Sequence, residues 1–389
     1  MRRTTAQRLI SLLISLRCYT ACAEEVSRDE QQCSATESSC GPARLAVPAI
    51  DIAPLVRSDE HSAAEWDAAA EAVARACEEW GFFQAVNHGI SAALLDSVVS
   101  QGREMFSMPK ANKAKFKRTE TNARGWYDDE LTKQTKDWKE GFDVGHVPHP
   151  DRPPDHPSNV VVEGYNQWPG ESPLFKETIE AFYSSAARVA RHLLEGVASH
   201  LGLPRGHFAP SFEPHTSYLR LNYYPPCPEP STLSVNRHTD AGALTVLLQE
   251  NETVSLQVNH RGTGEWVSIP PLNGALTINV GDMLQVWTND LYVAPEHRVL
   301  SQVDRDRFSA PFFYNPAYHA DIAPLSPGKE RRDSLAPGAQ AAGRGGLEGQ
   351  GKERYRPVNW GEFRLKRFAG DYADQGTEEV QISHYRLDS

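Results

Sequence analysis

Two histidines and one aspartate are the residues in this sequence whose types and spacing best suit a metal ion. His238 and Asp240 stand two positions apart, and His297 lies in a later apolar run. Because side chains on a strand alternate between its faces, we expect His238 and Asp240 to project to the same side. Two imidazoles and one carboxylate fill one face of an octahedral ion and leave three positions open, which suits non-haem Fe(II) with O2. An open site of this kind predicts catalysis.

The same His-x-Asp spacing occurs at two other places, so the spacing alone does not identify a site. Prolines surround His149-Pro150-Asp151, which favours a surface loop. His319-Ala320-Asp321 follows the last predicted strand of the core, and only His384 lies downstream of it. His238 instead is expected to open an apolar strand, and it has His297 as a second histidine inside a later apolar run. The context therefore favours His238 as the ligand.

An arginine and a serine form a second pair with chemical potential. Arg307 and Ser309 begin ten residues after His297 and share one face of a predicted strand. An arginine on an inward-facing strand position needs a charged partner, and its planar guanidinium matches a carboxylate while the serine adds a donor. The pair therefore predicts a dicarboxylate ligand. A solvated charge at a strand edge is the alternative interpretation of Arg307 taken alone.

Helical and strand patterns indicate the elements that must position these residues. Helices are predicted from Ser62, with an apolar face as far as Trp80, and from Ser172 to Gly202. Eight later strands are predicted at Tyr218–Tyr224, Leu244–Gln249, Ser255–Val258, Trp266–Ile269, Leu276–Val280, Met283–Trp287, His297–Val303 and Pro311–Tyr314. The pattern indicates an α+β fold with a mainly β core, a jelly roll with flanking N-terminal helices.

Five motifs follow one another along the chain. They are Trp80–Ile90, Leu221–Pro228, His238–Gly242, Glu296–Val299 and Arg307–Ser309. In type and order they resemble the 2-oxoglutarate- and Fe(II)-dependent dioxygenases, in the branch of isopenicillin N synthase and the plant flavonoid and gibberellin oxidases. The resemblance extends from about Val47 to Ala323 and resumes at Tyr355–Arg386. It implies a double-stranded β-helix as the core of the fold.

The resemblance also implies cofactors and roles. The implied iron ligands are His238, Asp240 and His297, and the residues implied to contact 2-oxoglutarate are Arg307, Ser309, Tyr224 and Asn222. The expected reaction hydroxylates or desaturates a small organic metabolite with Fe(II), 2-oxoglutarate and O2, with ascorbate as an optional reductant. Decarboxylation of 2-oxoglutarate to succinate and CO2 accompanies it. In relatives, the segment 125–140 and the position of Phe313 help to select the substrate, although burial of two tryptophans explains that segment almost as well.

Two other functions are compatible with parts of this pattern. An oxidase of the same fold that does not use 2-oxoglutarate could retain the Arg307 and Ser309 pair for another carboxylate, and succinate production would separate the two enzymes. A binding module, or a cupin that holds zinc or manganese, could use the jelly roll without oxidative chemistry. The predicted carboxylate site after His297 argues against this second alternative.

Charge and length limit the range of partners. The chain has 389 residues and a net charge of −11, from 40 basic and 51 acidic residues. This sign disfavours nucleic acid, whose phosphates require a basic surface. We expect a small-molecule substrate and a monomer.

The two ends of the sequence differ from its middle. Residues 1–23 are rich in arginine, lack acidic residues and hold an apolar run too short to span a bilayer. They predict a secretory signal or an organelle presequence, with a cytoplasmic enzyme as the alternative. The predicted organisation is a targeting segment and disordered linker at 1–40, an N-terminal helical region at 41–214, the jelly-roll core at 215–325, a low-complexity linker at 326–353 and a C-terminal segment packing on the core at 354–389.

Overall fold

The computed structural model describes most of the chain between residues 45 and 387. The described ranges are 45–119, 122–132, 135–145, 164–170, 172–229, 232–250, 253–325, 352–372 and 380–387. The predictions for residues 1–40, for nearly all of 326–353 and for the His149 triplet therefore lie outside the described residues. Contacts group Ala46–Ser389 in one unit and Met1–Leu45 in another. The boundaries predicted at 214 and 325 fall inside the larger unit and stay predictions.

The helices lie mainly in the first half of the chain. Their bounds are α1 (Ala53–Val56), α2 (Ala63–Glu79), α3 (Ala92–Ser107), α4 (Lys110–Lys113), α5 (Pro173–His200), α6 (Asp282–Trp287) and α7 (Trp360–Tyr372), and short 3-10 helices cover Ala114–Phe116, Ala209–Phe212 and Ile382–Tyr385. Within the described residues, none of these helices combines the length and apolar character that a bilayer span requires.

The two helices predicted from the sequence form where their start signals stand. Ser62 caps α2: its side chain accepts a hydrogen bond from the backbone of Glu65, and the Glu65 carboxylate accepts one from the backbone of Ser62. Ser172 accepts a hydrogen bond from the backbone of Phe175 at the start of α5. The buried faces of α2 and α5 pack against each other and against one side of an eight-stranded sheet.

Two sheets form the core of the molecule. Their strands are β1 (Ala49–Asp51), β2 (Phe82–Val86), β3 (Gly125–Tyr127), β6 (Glu140–Gly145), β7 (Tyr218–Tyr224), β8 (Leu233–His238), β9 (Leu244–Gln249), β10 (Leu256–Asn259), β11 (Trp266–Ser268), β12 (Leu276–Val280), β13 (His297–Leu300) and β14 (Arg307–Tyr314). The larger sheet has eight strands in the order β1-β2-β12-β9-β14-β7-β6-β3, and the smaller has four in the order β11-β10-β13-β8. Two further sheets of two strands each pair β4 (Leu131–Thr132) with β5 (Thr135–Lys136) and β15 (Asp321–Ile322) with β16 (Val358–Asn359).

The two sheets face each other across a small apolar cluster. Phe82 and Leu247 of the larger sheet pack in one cluster with Leu256, Val258 and Val299 of the smaller sheet. A second and larger cluster lies between the helices and the larger sheet. The predicted jelly roll with N-terminal helices is therefore confirmed.

Some predicted elements are wrong. The segment Met283–Trp287 was expected to be a strand and is part of the helix α6. Every residue of α6 is buried, and a short, mostly apolar segment that is buried on all sides has no periodicity to distinguish a helix from a strand. The sequence pattern also missed β8, whose exposed and buried residues alternate imperfectly. The helix α3 went unpredicted as well. The N-terminal region contributes four strands, β1, β2, β3 and β6, to the larger sheet.

The described part of the C-terminal segment lies against the core. Trp360 is fully buried and its indole donates a 2.7 Å hydrogen bond to the hydroxyl of Thr216. Asp290 accepts a hydrogen bond from the hydroxyl of Tyr355 and another, at 2.7 Å, from Arg386. The helix α7 packs against β4, and its Arg367 donates a hydrogen bond to the carbonyl of Thr239, directly after β8.

Candidate metal and co-substrate site

The structure brings His238, Asp240 and His297 together. One ligand atom from each residue lies within 4.8 Å of the others. The Nε2 atoms of His238 and His297 each lie 3.6 Å from Oδ1 of Asp240. The two histidines are direct cross-strand partners, because His238 ends β8 where His297 begins β13. Donor atoms this close, on three side chains, fit a single metal ion.

Asp240 reaches the site from a loop and not from a strand. The expectation that strand alternation aligns it with His238 is wrong, because β8 ends at His238. The carbonyl of Asp240 accepts a 2.7 Å hydrogen bond from the backbone of Asp282, which fixes the loop. Gly242 permits this path, since a Cβ atom there would lie 2.1 Å from Oδ1 of Asn315.

Backbone carbonyls orient both imidazole rings. Nδ1 of His238 lies 2.8 Å from the carbonyl oxygen of Asn236, and Nδ1 of His297 lies 3.1 Å from that of Pro295. Donation from Nδ1 to these carbonyls assigns the ring proton to Nδ1 and leaves the lone pair on Nε2. Both lone pairs then face Asp240, as metal coordination requires.

Burial and neighbouring charges set the protonation states of His238 and Asp240. Burial, together with the nearby His297, lowers the pKa of His238 to about 3. Burial by itself raises the pKa of Asp240, but the two histidines and the hydrogen bonds from Asn279 and Thr245 outweigh it and lower that pKa below its usual value. At neutral pH His238 is therefore neutral and Asp240 ionised, the forms that bind metals.

Four side chains predicted to contact 2-oxoglutarate stand in two cross-strand pairs. Arg307 on β14 faces Tyr224 on β7, and Ser309 faces Asn222. The guanidinium of Arg307 lies 4.9 Å from the centre of the Tyr224 ring, and the Tyr224 and Ser309 hydroxyls are 3.5 Å apart. All four side chains are buried. The structure thus brings together the residues that the sequence placed far apart.

The guanidinium of Arg307 has open hydrogen-bonding capacity. Its Nη2 donates a 3.0 Å hydrogen bond to the Gln249 side chain. Its Nε and Nη1, and Oδ1 of Asn222, are buried and have no hydrogen-bond partner among the described residues. A buried guanidinium with two nitrogens that lack a hydrogen-bond partner among the described residues is well suited to bind a carboxylate ligand.

One cavity of about 80 Å³ connects the two groups of residues. His238, Asp240 and His297 line it together with Arg307 and Ser309. Its remaining wall is largely apolar and includes Phe82, Leu247, Leu256 and Val299. The residues present therefore fit an iron ion with an adjacent dicarboxylate.

Sequence reasoning missed the residues that hold these groups in place. Asn279 donates a 2.8 Å hydrogen bond to Oδ2 of Asp240, and Thr245 donates a second. Gln249 orients Arg307. Thr245 and Gln249 lie on one face of β9, four residues apart, a signal present in the sequence. The pattern did not show which face of this fully buried strand points toward the site.

Other residues from the sequence analysis lie in varied environments. His319 is exposed and does not join the metal cluster. His88 is buried, and its Nε2 lies 2.9 Å from the carbonyl of Gly274. Phe313 lines the site cavity. Trp126 is a core residue, whereas Trp138 is exposed.

Comparisons with known proteins show the family. The model of the N-terminal domain described as "non-haem dioxygenase in morphine synthesis" matches residues 47–171, and the model of the 2OG-Fe(II) oxygenase superfamily matches residues 215–316. Together these matches cover more than half of the chain. The chain belongs to the 2OG-Fe(II) oxygenase superfamily.

Individual relatives agree with this family. The chain is 33% identical over 293 residues to oxoglutarate-dependent flavonoid 7-O-demethylase 1 of Ocimum basilicum, a match that covers 75% of this chain and 74% of the relative. It is 34% identical over 257 residues to thebaine 6-O-demethylase of Papaver somniferum, covering 64% of this chain and 67% of the relative. A full-length Neurospora crassa protein, solved in complex with alpha-KG and 5-formyluracil, has the same fold, with a TM-score of 0.68 at 23% identity over 86% of this chain and 100% of the other.

The protein is therefore an Fe(II)- and 2-oxoglutarate-dependent dioxygenase, an oxidoreductase that uses O2 and acts on a small organic molecule. The predictions of family, fold, enzyme class and cofactors are confirmed. The alternative of an oxidase that does not use 2-oxoglutarate is not favoured.

Proposed function

We propose that the protein hydroxylates a C–H bond of a small organic molecule. The reaction consumes one 2-oxoglutarate and one O2, and it releases succinate and CO2. One oxygen atom of O2 enters the alcohol and the other enters succinate, so atoms and electrons balance. The observation that carries the proposal is the buried guanidinium of Arg307. Two of its nitrogens have no hydrogen-bond partner among the described residues, and the side chain lines the same cavity as His238, Asp240 and His297.

Seven residues have assigned roles in this proposal. Iron is held by His238, Asp240 and His297, and 2-oxoglutarate is held by Arg307, Ser309, Tyr224 and Asn222. Bound Fe(II) supplies the activation of O2, coupled to oxidative decarboxylation of the co-substrate.

The chain's own residues position the reactants. Arg307 fixes the direction of 2-oxoglutarate by binding its distal carboxylate, and Gln249 holds the guanidinium in that orientation. The hydroxyls of Tyr224 and Ser309 lie at the same end of the cavity and supply further donors. The apolar walls contributed by Leu247 and Val299 keep water from the reacting centre.

The relatives' names favour hydroxylation over desaturation. Flavonoid 7-O-demethylase 1 and thebaine 6-O-demethylase both remove an O-methyl group. Hydroxylation of a methoxy carbon gives a hemiacetal that releases formaldehyde, so O-demethylation is chemically a form of hydroxylation. We therefore choose hydroxylation as the reaction of this chain. The net charge of −11 supports the further proposal that nucleic acid is no substrate and that the enzyme works as a monomer on a free small molecule.

The test measures Fe(II) binding, 2-oxoglutarate binding and succinate release in one set of anaerobically prepared proteins. His297→Ala should lose stoichiometric Fe(II), while His319→Ala, a matched change at an exposed histidine, should keep it. Arg307→Ala should retain Fe(II) but lose 2-oxoglutarate binding and succinate formation on addition of O2. Arg305→Ala is the matched arginine control, since the Arg305 side chain is 54% exposed.

Two outcomes would contradict the proposal. Unchanged Fe(II) stoichiometry in His297→Ala would show that His297 is not a ligand of the metal. Unchanged 2-oxoglutarate affinity in Arg307→Ala would show that Arg307 does not bind the co-substrate. Stoichiometric zinc in the purified protein, without any turnover dependent on iron, would instead indicate a cupin without oxidative chemistry.

A further inference from the structure

A second cavity also has His238 and Asp240 in its wall. Its volume is about 90 Å³. It shares His238, Asp240, Lys139 and Arg220 with the first cavity, but its wall does not include Arg307. A molecule in this second cavity would lie against the metal ligands without occupying the place of 2-oxoglutarate. The second cavity is therefore suited to the molecule that is oxidised.

Positive charge dominates the wall of the second cavity. Its lining includes four cationic side chains and two carboxylates, namely Lys139, Arg220, Arg364 and Arg367 against Glu130 and Asp240. Asp240 is a proposed iron ligand, which leaves one acidic residue on this wall to balance four cations. All four cationic side chains are at most 9% exposed, so water screens their charges only weakly.

Two of the four cations are neutralised within the protein. Nζ of Lys139 lies 2.7 Å from the carboxylate of Glu130 and 3.1 Å from that of Asp137. Arg220 donates two 2.8 Å hydrogen bonds to the carboxylate of Asp143 and one of 2.9 Å to Glu130. Lys139 and Arg220 are thus paired with three carboxylates of the protein, those of Glu130, Asp137 and Asp143, and need no charge from a ligand.

The other two cations come from one face of α7. Arg364 and Arg367 are three residues apart and both are buried, with exposures of 3% and 8%. The guanidinium of Arg364 lies 4.8 Å from the centre of the Tyr218 ring and 5.8 Å from that of Trp360. Arg367 donates a 3.3 Å hydrogen bond to the carbonyl of Thr239, next to the proposed ligand His238.

The contacts that these two arginines make inside the protein leave room for a ligand. The carboxyl group of Asp282 and the guanidinium of Arg367 interact electrostatically. Asp282 is fully buried and does not line the cavity, whereas Arg367 does. Arg364 stacks near aromatic rings and bonds to the hydroxyl of Tyr218. A guanidinium carries five N–H donors, so a group that already has protein partners can still donate to a carboxylate in the cavity that it lines.

We propose that the molecule oxidised by this enzyme is an organic acid, whose carboxylate is bound by Arg364 and Arg367 while its carbon skeleton extends along Val235 and Phe313 toward the metal. The inference rests on the proposed function, because it names the substrate class of the same site. It assigns the C-terminal helix α7 to substrate recognition. The reaction remains the balanced hydroxylation given above.

The test compares carboxylic acids with neutral partners of the same shape. A panel of aromatic and alicyclic monocarboxylic acids, each matched to its primary amide, is titrated anaerobically by calorimetry into protein already loaded with Fe(II) and 2-oxoglutarate. We expect acids to bind and their amides to bind at least about tenfold more weakly. Arg364→Met and Arg367→Gln should each weaken acid binding about ten- to a hundredfold and leave 2-oxoglutarate affinity unchanged.

Controls separate recognition from folding and from charge in general. Lys366→Met removes one positive charge from the exposed side of the same helix and should change nothing. Arg364→Lys keeps the charge without the planar fork, so its acid affinity should fall between those of Arg364→Met and the wild type. Unchanged 2-oxoglutarate affinity shows that a variant is folded at the site.

Three results would overturn the inference: amides binding as tightly as their acids, wild-type acid affinity in both arginine variants, or no binding by any acid of the panel. Failure of the proposed function looks different, because the protein would then not take up Fe(II) or 2-oxoglutarate before any acid is added.

Discussion

At the scale of single residues, Asp240 and Arg307 are each oriented by hydrogen bonds with side chains that do not take part in the reaction. Asp240 uses Oδ2 to accept hydrogen bonds from Asn279 and Thr245, which leaves Oδ1 directed at the histidines. Arg307 is held in the same way by Gln249. Partners of this kind fix the orientation of a ligand and therefore contribute to affinity.

Removing a partner of Asp240 should weaken metal binding. Asn279→Ala and Thr245→Val should each lower the Fe(II) affinity about ten- to a hundredfold, because the carboxylate is then free to rotate away from the two histidines. Anaerobic competition with a chelator measures this affinity. Thr263→Val, at an exposed turn, is the matched control. Wild-type affinity in both variants would show that Asp240 needs no orientation.

Replacing Arg307 by lysine should reduce the affinity for 2-oxoglutarate and not the affinity for Fe(II). Lysine keeps the charge but loses the planar fork, so we expect a cost of about 1–3 kcal/mol. Calorimetric titration of 2-oxoglutarate measures it, with Arg305→Lys as the control. An unchanged dissociation constant would mean that a point charge suffices at this position.

At the scale of elements, the site depends on how loops and helices close around the strand ends. The loop after β8 carries Asp240 and is pressed against α6, whose first residue donates a backbone hydrogen bond to it. Gly281, which precedes α6, has no room for a side chain, because its Cβ atom would lie 2.3 Å from the carbonyl of Gly242. Two glycines thus permit the close backbone contact that places the aspartate.

A methyl group at Gly242 should therefore disturb both stability and metal binding. The added Cβ in Gly242→Ala would overlap Oδ1 of Asn315 and force the loop to move. We expect a loss of about 1–3 kcal/mol in the free energy of unfolding, together with weaker Fe(II) binding. Urea unfolding and chelator competition measure the two effects. Gly206→Ala is the control, because nothing lies within 4 Å of its added Cβ. Equal stability of the two variants would disprove the close contact.

At the scale of the whole molecule, charged residues from distant parts of the chain form a buried network beside the site. Burial by itself raises the pKa of Glu130, but the charges of Arg220, Lys139 and Arg118 outweigh burial and lower that pKa to about 2. The network ties the segment around β4 to β6 and β7, and it borders both cavities.

The lowered pKa of Glu130 has a defined consequence for stability against acid. A carboxylate whose folded pKa is below its usual value of 4.5 stabilises the fold fully above that value. The stabilisation is lost as the pH falls through about 2, the folded pKa. Glu130→Gln should lower the free energy of unfolding by about 3 kcal/mol at neutral pH, since it leaves buried cations uncompensated.

Urea unfolding of the wild type and of Glu130→Gln across the acidic range measures this linkage. The difference between the two proteins should be largest at neutral pH and should shrink as the pH falls below 4.5. Glu362→Gln, at an exposed position of α7, is the control. A difference that does not depend on pH would show that the Glu130 charge contributes nothing.

The sequence by itself determined much of the chemistry of this protein, because most of its signals are short-range. The His238 and Asp240 pair, the Arg307 and Ser309 pair, and the start of each long amphipathic helix each lie within a few residues, and His297 stands out by its own apolar run later in the chain. Such patterns follow from local geometry and from the ligand preferences of metals, which do not need a known fold.

Only the tertiary structure decided which distant residues complete the site. Asn279 reaches Asp240 because β12 pairs with β9 in a register that sets Asn279 opposite Thr245. The sequence does not indicate which face of β9 points toward the site, because this strand is buried on both faces. Arg364 and Arg367 face the metal ligands only because α7, far along the chain, docks beside β4 and β8. Register and docking depend on the summed packing of many contacts, so no local pattern encodes them.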